Sequence, residues 1–202
     1  MILASTSPRR ASILGILRIP FEVDPPSGPE VVRSGEPPLE YALRLSREKA
    51  REVAARRPGR WVLAGDTIVT LDGEILGKPQ SADHALRMLL RLQGRTHHVI
   101  SALSLIRPAT ERFSRKEAVF AGTETTAVTF RSFGRKAARA YIRTGEPDDK
   151  AGAYGIQGMG AALVRRIEGD YGGVVGLPVP LLLDLLGQAG RPYRFGARPK
   201  AD

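Results

Sequence analysis

Segments typical of strands alternate with segments typical of helices along almost the whole chain, and this order predicts an α/β fold. Ile2–Ala4 is predicted to be a strand that leads into a helix over about residues 8–17. The run PLEYALRLSREKAREVAARR has apolar residues at helical spacing, and FEVDPPSGPE before it is predicted to be a strand and a loop. In RWVLAGDTIVTLDGEIL two strand-type runs are joined by Asp72-Gly73, a dipeptide typical of hairpins.

The second half of the chain continues this alternation. SADHALRMLLRLQG predicts a helix that begins after the N-cap Ser81 and ends on Gly94. HHVISALSLI and ETTAVTF alternate like paired strands, with residues 107–118 as their loop. GRKAARAYIRTGEP predicts another helix and LPVPLLLDLLGQAG a buried closing helix, whereas the glycine-rich run KAGAYGIQGMGAALVRRIEG is expected to form strand and loop. We therefore expect residues 1–202 to form a single α/β domain with a mixed sheet.

Composition excludes several classes of protein. No apolar run approaches the roughly 20 residues of a membrane span, and no signal peptide is recognisable. The sequence has no cysteine, which excludes disulfides and thiol chemistry and fits a reducing compartment, so we expect a cytoplasmic protein. The net charge of +10 predicts an anionic partner. Only six of the 31 basic residues are lysine, however, so solvated surface arginines explain much of this charge.

The stretch LASTSPRR predicts an anion site at the start of the first helix. Ser7 followed by Pro8 is a typical helix beginning. Arg9 and Arg10 then fall in the first turn, where the helix dipole disfavours cations. A phosphate held by the free N–H groups and by both guanidinium groups would make this placement favourable. The alternative is a pair of arginines that point into water.

Asp66 is a single carboxylate within the apolar run WVLAGDTIV. Aspartate is disfavoured in strands, so it needs either a partner or a task, and Gly65 is expected to let the backbone bend there. Lys78, in GKP after the hairpin, is close enough in sequence to return near Asp66. A carboxylate with a lysine can hold a metal-bound phosphate and orient water. The alternative is an edge-strand aspartate that faces solvent.

A third candidate site is GEPDDKAGAYGIQGMGA, residues 145–161. Its five glycines would allow a ligand to approach the backbone closely. Gln157 within it carries an amide suited to reading the edge of a nucleobase. The alternative is a glycine-rich turn in which Lys150 and Gln157 are merely solvated.

Together these stretches resemble the Maf family of nucleoside triphosphate pyrophosphatases. The resemblance rests on LASTSPRR, GDTIV…GKP and DKAGAYGIQGMGA…GDYGGVVGLP, which occur in the family's order from Ile2 to about Leu186. It implies a hydrolase of the nucleotide diphosphatase class that converts a nucleoside triphosphate to the monophosphate and pyrophosphate with Mg²⁺ or Mn²⁺. It also implies a twisted mixed sheet and flanking helices around a deep cleft, like the inosine triphosphate pyrophosphatase group.

The resemblance also implies roles for individual residues. Asp66 matches the family's catalytic acid, and with Glu30 it is assigned to metal binding or water activation. The positions that match the family's specificity residues are Arg9, Thr67 and Gln157, and those that match its polar cleft residues are Arg10, Glu30, Lys49 and Lys78. The four cations among these residues are assigned to the triphosphate.

The combination of Arg9, Thr67 and AYGIQG resembles the branch that acts on dTTP and UTP rather than the branch that acts on 7-methyl-GTP, which carries Trp, Gln and Glu at these places. Two positions depart from the usual pattern. Gly65 stands where alanine is usual, and Gly173 where many relatives have asparagine.

Two other functions remain open at this point. One is a nucleic-acid-binding or septation-regulating protein on the same fold, and the other is an editing enzyme for damaged purine nucleotides. Asp66 argues against the first, because a phosphate-backbone binder gains nothing from a carboxylate among its cations. We expect a nucleoside triphosphate as the partner, no membrane, no stable nucleic-acid complex, and a homodimer.

Overall fold

A computed structural model describes residues 1–109 and 117–196, and one sheet lies at its centre. The strands described are β1 (Ile2–Ala4), β2 (Glu22–Val23), β3 (Val62–Leu71), β4 (Glu74–Leu76), β5 (Thr96–Arg107), β6 (Ala118–Phe130) and β7 (Val164–Glu168). Their spatial order is β2-β1-β3-β5-β6-β7, with β4 paired to β3. β1 is parallel to β2 and β3, and the other pairs are antiparallel, so the predicted mixed sheet is confirmed. Of the predicted loop 107–118, residues 110–116 lie outside the described residues.

The predicted helices are present. The helices described are α1 (Pro8–Ile16), α2 (Pro38–Arg56), α3 (Ala82–Leu92), α4 (Arg135–Ile142), α5 (Tyr171–Val175) and α6 (Val179–Gln188). Ser7 and Ser81 both cap as predicted, each accepting a hydrogen bond from the backbone N–H three residues on. None of the helices in the described ranges is long and apolar enough to cross a lipid bilayer.

The glycine-rich run forms loop and strand, as expected. Short 3₁₀ turns lie at Ala151–Ala153 and Met159–Leu163, and the strand begins at Val164. The short helix α5 was not predicted, because glycine is a poor helix former and two of its five residues are glycines. Asp170 compensates by capping α5, since its side chain accepts from the N–H of Gly173.

Alternate residues of β3 face two different layers of helices, as the strand period requires. Ala64 and Ile68 belong to apolar clusters that include residues of α2. Leu63 faces the other way and packs with α1 and α6, whereas Val69 packs on that same side with α3 and α4. The sheet is therefore covered on both faces, and the second face is covered by two separate clusters.

The two polar residues in the middle of β3 lie between these clusters. Asp66 falls between the two clusters of the α2 face, and Thr67 falls between the two clusters of the opposite face. The same stretch is also free along one edge, because pairing with β1 ends at Ala64 and pairing with β4 begins at Val69. Residues 65–68 of β3 are thus open to a ligand at the carboxyl end of β1, a usual position for binding sites in α/β sheets.

Candidate active site

A cavity of about 610 Å³ opens at this gap in the sheet, beside the beginning of α1. The eight residues predicted from the sequence to form the site all line it: Arg9, Arg10, Glu30, Lys49, Asp66, Thr67, Lys78 and Gln157. They come from the β1–α1 junction, the loop before α2, α2 itself, β3, the segment after β4 and the glycine-rich loop. The fold therefore brings the three predicted stretches to one cleft.

Asp66 is buried and paired with a lysine of α2. It is 6% exposed, so the alternative of an aspartate that faces solvent is wrong. Its Oδ1 lies 2.5 Å from Nζ of Lys49, and the same Nζ lies 2.5 Å from Oε1 of Glu30. Lys78, the partner suggested by the sequence, lines the same cleft but does not form this ion pair. Lys49 therefore bridges two carboxylates that come from different parts of the chain.

The Glu30 carboxylate is held in its charged form. Partial burial alone would raise the pKa of Glu30. The hydrogen bond from Lys49 and the charges of Lys49, Lys78 and Arg10 outweigh that effect and hold the pKa below its usual value. Negative charge is thus present at this point of the cleft at neutral pH.

The Glu30–Lys49–Asp66 group fits a divalent cation. Two carboxylate oxygens converge on the single Lys49 nitrogen, so both are within reach of one ion. In the described ranges no group of three or more potential metal ligands of the His, Cys, Asp or Glu type occurs. Mg²⁺ is typically bound by one or two carboxylates and completes its shell with water and substrate phosphates. A site with two carboxylates in a cleft that is also lined by Arg9 and Lys78 is compatible with that pattern.

Arg10 is tied into the protein rather than free in the cleft. Its guanidinium donates to three acceptors: the carbonyl oxygen of Gly176 at 2.8 Å, Oγ of Ser5 at 2.9 Å and Oγ1 of Thr67 at 3.1 Å. Burial lowers the pKa of Arg10, although the charge of Asp66 opposes this shift. The alternative of two arginines in water is therefore wrong for Arg10, which connects the β1–α1 junction, β3 and the end of α5.

The absence of a side chain at Gly65 leaves space for the Arg10 guanidinium, and the strand does not bend there. The pairing of β3 with β5 runs without a register shift from Val62 to Thr70, so the expected bend at Gly65 is absent. A Cβ at this position would lie 3.1 Å from Nε of Arg10 and 3.0 Å from a side-chain carbon of Leu103. The missing side chain thus lets the guanidinium approach the strand.

Arg9 and Lys78 supply the cations that are available to a ligand. Neither side chain forms a hydrogen bond or an ion pair with the residues that the structure describes. The hydrogen bond from Lys150 lowers the pKa of Asp149, and the charge of Arg9 adds a smaller effect in the same direction. Lys78 is exposed at the mouth of the cleft. The anion site expected from LASTSPRR stays a prediction, with Arg9 as its available cation.

The glycine-rich loop wraps around the carboxylate of Glu146. This carboxylate accepts from the N–H groups of Met159 and Gly160 and from the hydroxyl of Tyr141. A Cβ on Gly158 would collide with it. Gln157 lies in the loop so formed, exposed and lining the cleft.

The end of the cleft beyond Thr67 is largely apolar. Its lining residues there are Val69, Val99, Tyr154, Ile156 and Val174. The hydroxyl of Tyr154 lies 2.9 Å from Nε2 of His97, which is fully buried behind it. The cleft thus has a cation-rich end and an apolar end, with Thr67 between them.

Several residues of this arrangement were missed from the sequence. The sequence indicates no role for Glu146, Tyr154 and Ser101, and none for Ser5 beyond its place in LASTSPRR. Ser101 had a detectable signal, since it is a polar residue in the apolar run HHVISALSLI on a strand paired to β3. Glu146 had none, because its two backbone partners lie 13 and 14 residues further along a segment without periodicity.

The chain is similar to one known protein family and to named enzymes of other organisms. The family described as "Maf-like protein" matches residues 1–189. The dTTP/UTP pyrophosphatase of Koribacter versatilis is 46% identical over 190 residues, which cover 94% of each chain. That of Nitratidesulfovibrio vulgaris is 50% identical over 191 residues, covering 92% of this chain and 86% of the relative.

A solved structure, the Ham1 protein of Staphylococcus aureus, matches at 19% identity with a TM-score of 0.38, over 63% of this chain and 71% of its own. This likeness is too low to carry an argument about fold or function.

Proposed function

Because this chain belongs to the Maf family, we propose that it is a nucleoside triphosphate pyrophosphatase that hydrolyses dTTP and UTP to the monophosphate and pyrophosphate. The observation that carries the proposal is the buried Asp66, paired with Lys49 and facing a cleft that has cations at one end and apolar residues at the other. The relatives named dTTP/UTP pyrophosphatase support the choice of substrate.

The cations of the cleft would hold and neutralise the triphosphate. Arg9 and Lys78 are free to contact phosphate oxygens. Lys49 also lines the cleft, where it is paired with the carboxylates of Glu30 and Asp66. Breaking the bond between the α- and β-phosphates places negative charge on the departing pyrophosphate. Cations fixed in advance around these oxygens lower the barrier because they need not reorganise during the reaction.

Asp66 would act on the attacking water. Only its Oδ1 takes part in the bond from Lys49, and its Oδ2 accepts no hydrogen bond from any residue in the described ranges. That oxygen is available to orient a water molecule and to accept its proton. A divalent cation bound by Asp66 and Glu30, once present, would supply the further positive charge that makes water a better nucleophile at neutral pH.

The apolar end of the cleft would take the base. Gln157 can donate its amide N–H to a carbonyl oxygen on the polar edge of uracil or thymine. The aliphatic and aromatic side chains around Val69 and Tyr154 would pack on the faces of the ring. Wrong bases would leave buried polar groups unpaired, which is how such sites discriminate strongly.

A phosphate-backbone binding protein is disfavoured by the same geometry. Such a protein gains affinity from cations that release counterions, and each carboxylate among them weakens binding. Here Asp66 and Glu30 meet at the centre of the cation cluster. The arrangement suits a reaction better than nucleic-acid binding.

The test is a competition assay with dTTP, UTP, CTP, ATP, GTP and 7-methyl-GTP in one mixture, with Mg²⁺ or Mn²⁺. We expect dTTP and UTP to be consumed first, with pyrophosphate as the second product. Preferred hydrolysis of a purine triphosphate or of 7-methyl-GTP would refute the substrate assignment and leave the pyrophosphatase reaction standing. No hydrolysis of any triphosphate would refute the enzyme assignment itself.

Three further expectations belong to this proposal. We propose that residues 1–202 act as one domain, which is supported by a single sheet built from both the first and the last strands described.

We expect a homodimer, to be tested by light scattering after size-exclusion chromatography. A nucleotide substrate and a sequence without cysteine support a cytoplasmic location.

A further inference from the structure

The hydroxyl of Thr67 belongs to a chain of hydrogen bonds that begins at the guanidinium of Arg10 and ends at the carbonyl oxygen of Gly173. Nη2 of Arg10 donates to Oγ1 of Thr67 at 3.1 Å, and that oxygen lies 2.8 Å from Oγ of Ser101. Ser101 Oγ in turn lies 2.7 Å from the carbonyl oxygen of Gly173. A guanidinium only donates and a carbonyl oxygen only accepts. The two hydroxyls between them are therefore not free to choose their roles.

The proton count follows directly. Ser101 has one hydroxyl proton and donates it to Gly173, because the carbonyl oxygen has none to offer. Thr67 must then donate its own proton to Ser101. Thr67 also uses one of its two lone pairs to accept from Arg10. One lone pair remains, so towards the cleft Thr67 is an acceptor and cannot donate.

Thr67 stands where the phosphate end of the cleft meets the apolar end. Val69 follows it on the same face of β3, and their partners on β5 are Ser101 and Val99. Both valines line the apolar end, whereas Arg10 touches Thr67 from the phosphate end. A base that packs against the valines places its polar edge beside the Thr67 oxygen.

We propose that Ser101 is a specificity-determining positioning residue, which acts by taking up the proton of Thr67 so that Thr67 selects a base carrying an N–H. This inference rests on the proposed function. Uracil and thymine have a proton on N3, whereas cytosine has a lone pair there. The Thr67 lone pair attracts the first and repels the second. Ser101 is fully buried and does not line the cleft, so it acts only through Thr67.

A second hydroxyl relay on β5 provides a matched control. Oγ of Ser104 lies 2.8 Å from Oγ of Ser46, which donates to the carbonyl oxygen of Leu43 at 2.9 Å. Ser104 is as fully buried as Ser101 and sits three residues further along the same strand, outside the cleft lining. The variants Ser101→Ala and Ser104→Ala therefore remove the same group from similar surroundings.

The experiment measures kcat/KM for UTP and CTP in both variants, and inhibition by UMP and CMP. Ser101→Ala frees the Thr67 proton, which then turns towards N3 of cytosine. We expect the ratio of kcat/KM for UTP to that for CTP to fall by about tenfold or more, mainly through a lower KM for CTP. CMP should inhibit this variant more strongly than it inhibits wild type. Ser104→Ala should leave both ratios within about twofold of wild type. A purely structural role of Ser101 would lower both activities and leave the ratios unchanged.

The outcomes separate the two proposals. If the wild-type protein prefers dTTP and UTP but Ser101→Ala moves the ratios no further than Ser104→Ala, the role of Ser101 is refuted and the proposed function stands. If the wild-type protein shows no such preference, both are refuted. Should Ser101→Ala not fold, Thr67→Val tests the same relay. It removes the acceptor at nearly constant shape and must lower the UTP/CTP ratio, and an unchanged ratio would refute the inference.

Discussion

The ammonium nitrogen of Lys49 lies 2.5 Å from Oδ1 of Asp66, and the two side chains are only 14% and 8% exposed. Charges in such a position are costly to leave unpaired. Glu30 approaches the same nitrogen from the loop before α2 and is 55% exposed, so one carboxylate of the group is buried and the other is reachable. The lysine therefore occupies the place between two carboxylates where a divalent cation would also be stable.

Replacing Lys49 should strengthen the response of the fold to divalent cations. Lys49→Met keeps most of the alkyl chain and leaves Asp66 and Glu30 facing each other without a cation. We expect a lower melting temperature than wild type without metal, and a larger rise on adding Mg²⁺ or Mn²⁺, by at least about 3 °C.

The matched control is Lys136→Met, an exposed lysine on α4. Thermal unfolding of the three proteins with and without metal, in the absence of nucleotide, gives the result. Equal metal-induced shifts in Lys49→Met and in wild type would contradict a metal site at Asp66 and Glu30.

The two opening arginines should separate into one structural and one ligand-binding residue. Helix electrostatics alone predict that Arg10→Ala weakens catalysis without loss of stability, since it removes a cation from the positive end of a helix. The three hydrogen bonds of Arg10 change this expectation. Its removal leaves three acceptors without their donor, so we now expect a loss of about 2–4 kcal/mol in the free energy of unfolding, together with lower activity.

Arg9→Ala serves as the comparison, because Arg9 forms none of these bonds with the residues described. It should raise KM for the triphosphate and change the free energy of unfolding by no more than about 0.5 kcal/mol. Denaturant titrations and steady-state kinetics on both variants decide the matter. Equal stabilities of the two variants would show that the Arg10 contacts contribute little.

The behaviour of Arg10 illustrates what could be predicted from the sequence. Signals confined to a few neighbouring residues were sufficient, as for the cap at Ser81, the hairpin at Asp72-Gly73 and the isolated Asp66 in an apolar strand. The acceptors of Arg10 at Thr67 and Gly176 lie 57 and 166 residues away, so no pattern of neighbouring residues predicts these hydrogen bonds.

The same limit explains why Lys49 and Lys78 were not distinguished as partners of Asp66. Proximity in sequence favoured Lys78, but α2 packs directly on β3 and delivers Lys49 to the carboxylate. The resemblance to the family named both lysines, and only the packing of the helix on the sheet showed which one makes the ion pair.

The buried His97 should make stability depend on pH. Burial, with a smaller effect of His98, lowers its pKa to about 4 from a usual value of 6.5. Between these values the unfolded chain binds a proton that the folded protein excludes, so stability is complete above about pH 6.5 and is lost as the pH falls towards 4. The full contribution is about 3 kcal/mol.

The measurement is the free energy of unfolding at pH 7 and pH 4.5 in wild type and in His97→Phe, which has no titrating group at this position. We expect wild type to lose clearly more stability than the variant over this range. The half-buried His84 on α3, replaced by Phe, is the control and should behave like wild type. Parallel losses in all three proteins would contradict the assignment to His97.

The most direct test of the account is the product of dTTP hydrolysis in wild type and in Asp66→Asn, followed by phosphorus NMR. The amide of asparagine is nearly isosteric and can still accept from Lys49, so the fold should persist, and Asp184→Asn on α6 controls for the loss of one carboxylate. We predict that wild type and Asp184→Asn release thymidine monophosphate and pyrophosphate, and that Asp66→Asn is inactive. Release of orthophosphate and thymidine diphosphate, or a rate in Asp66→Asn above about a tenth of wild type (a barrier change below ~1.4 kcal/mol), would contradict the account.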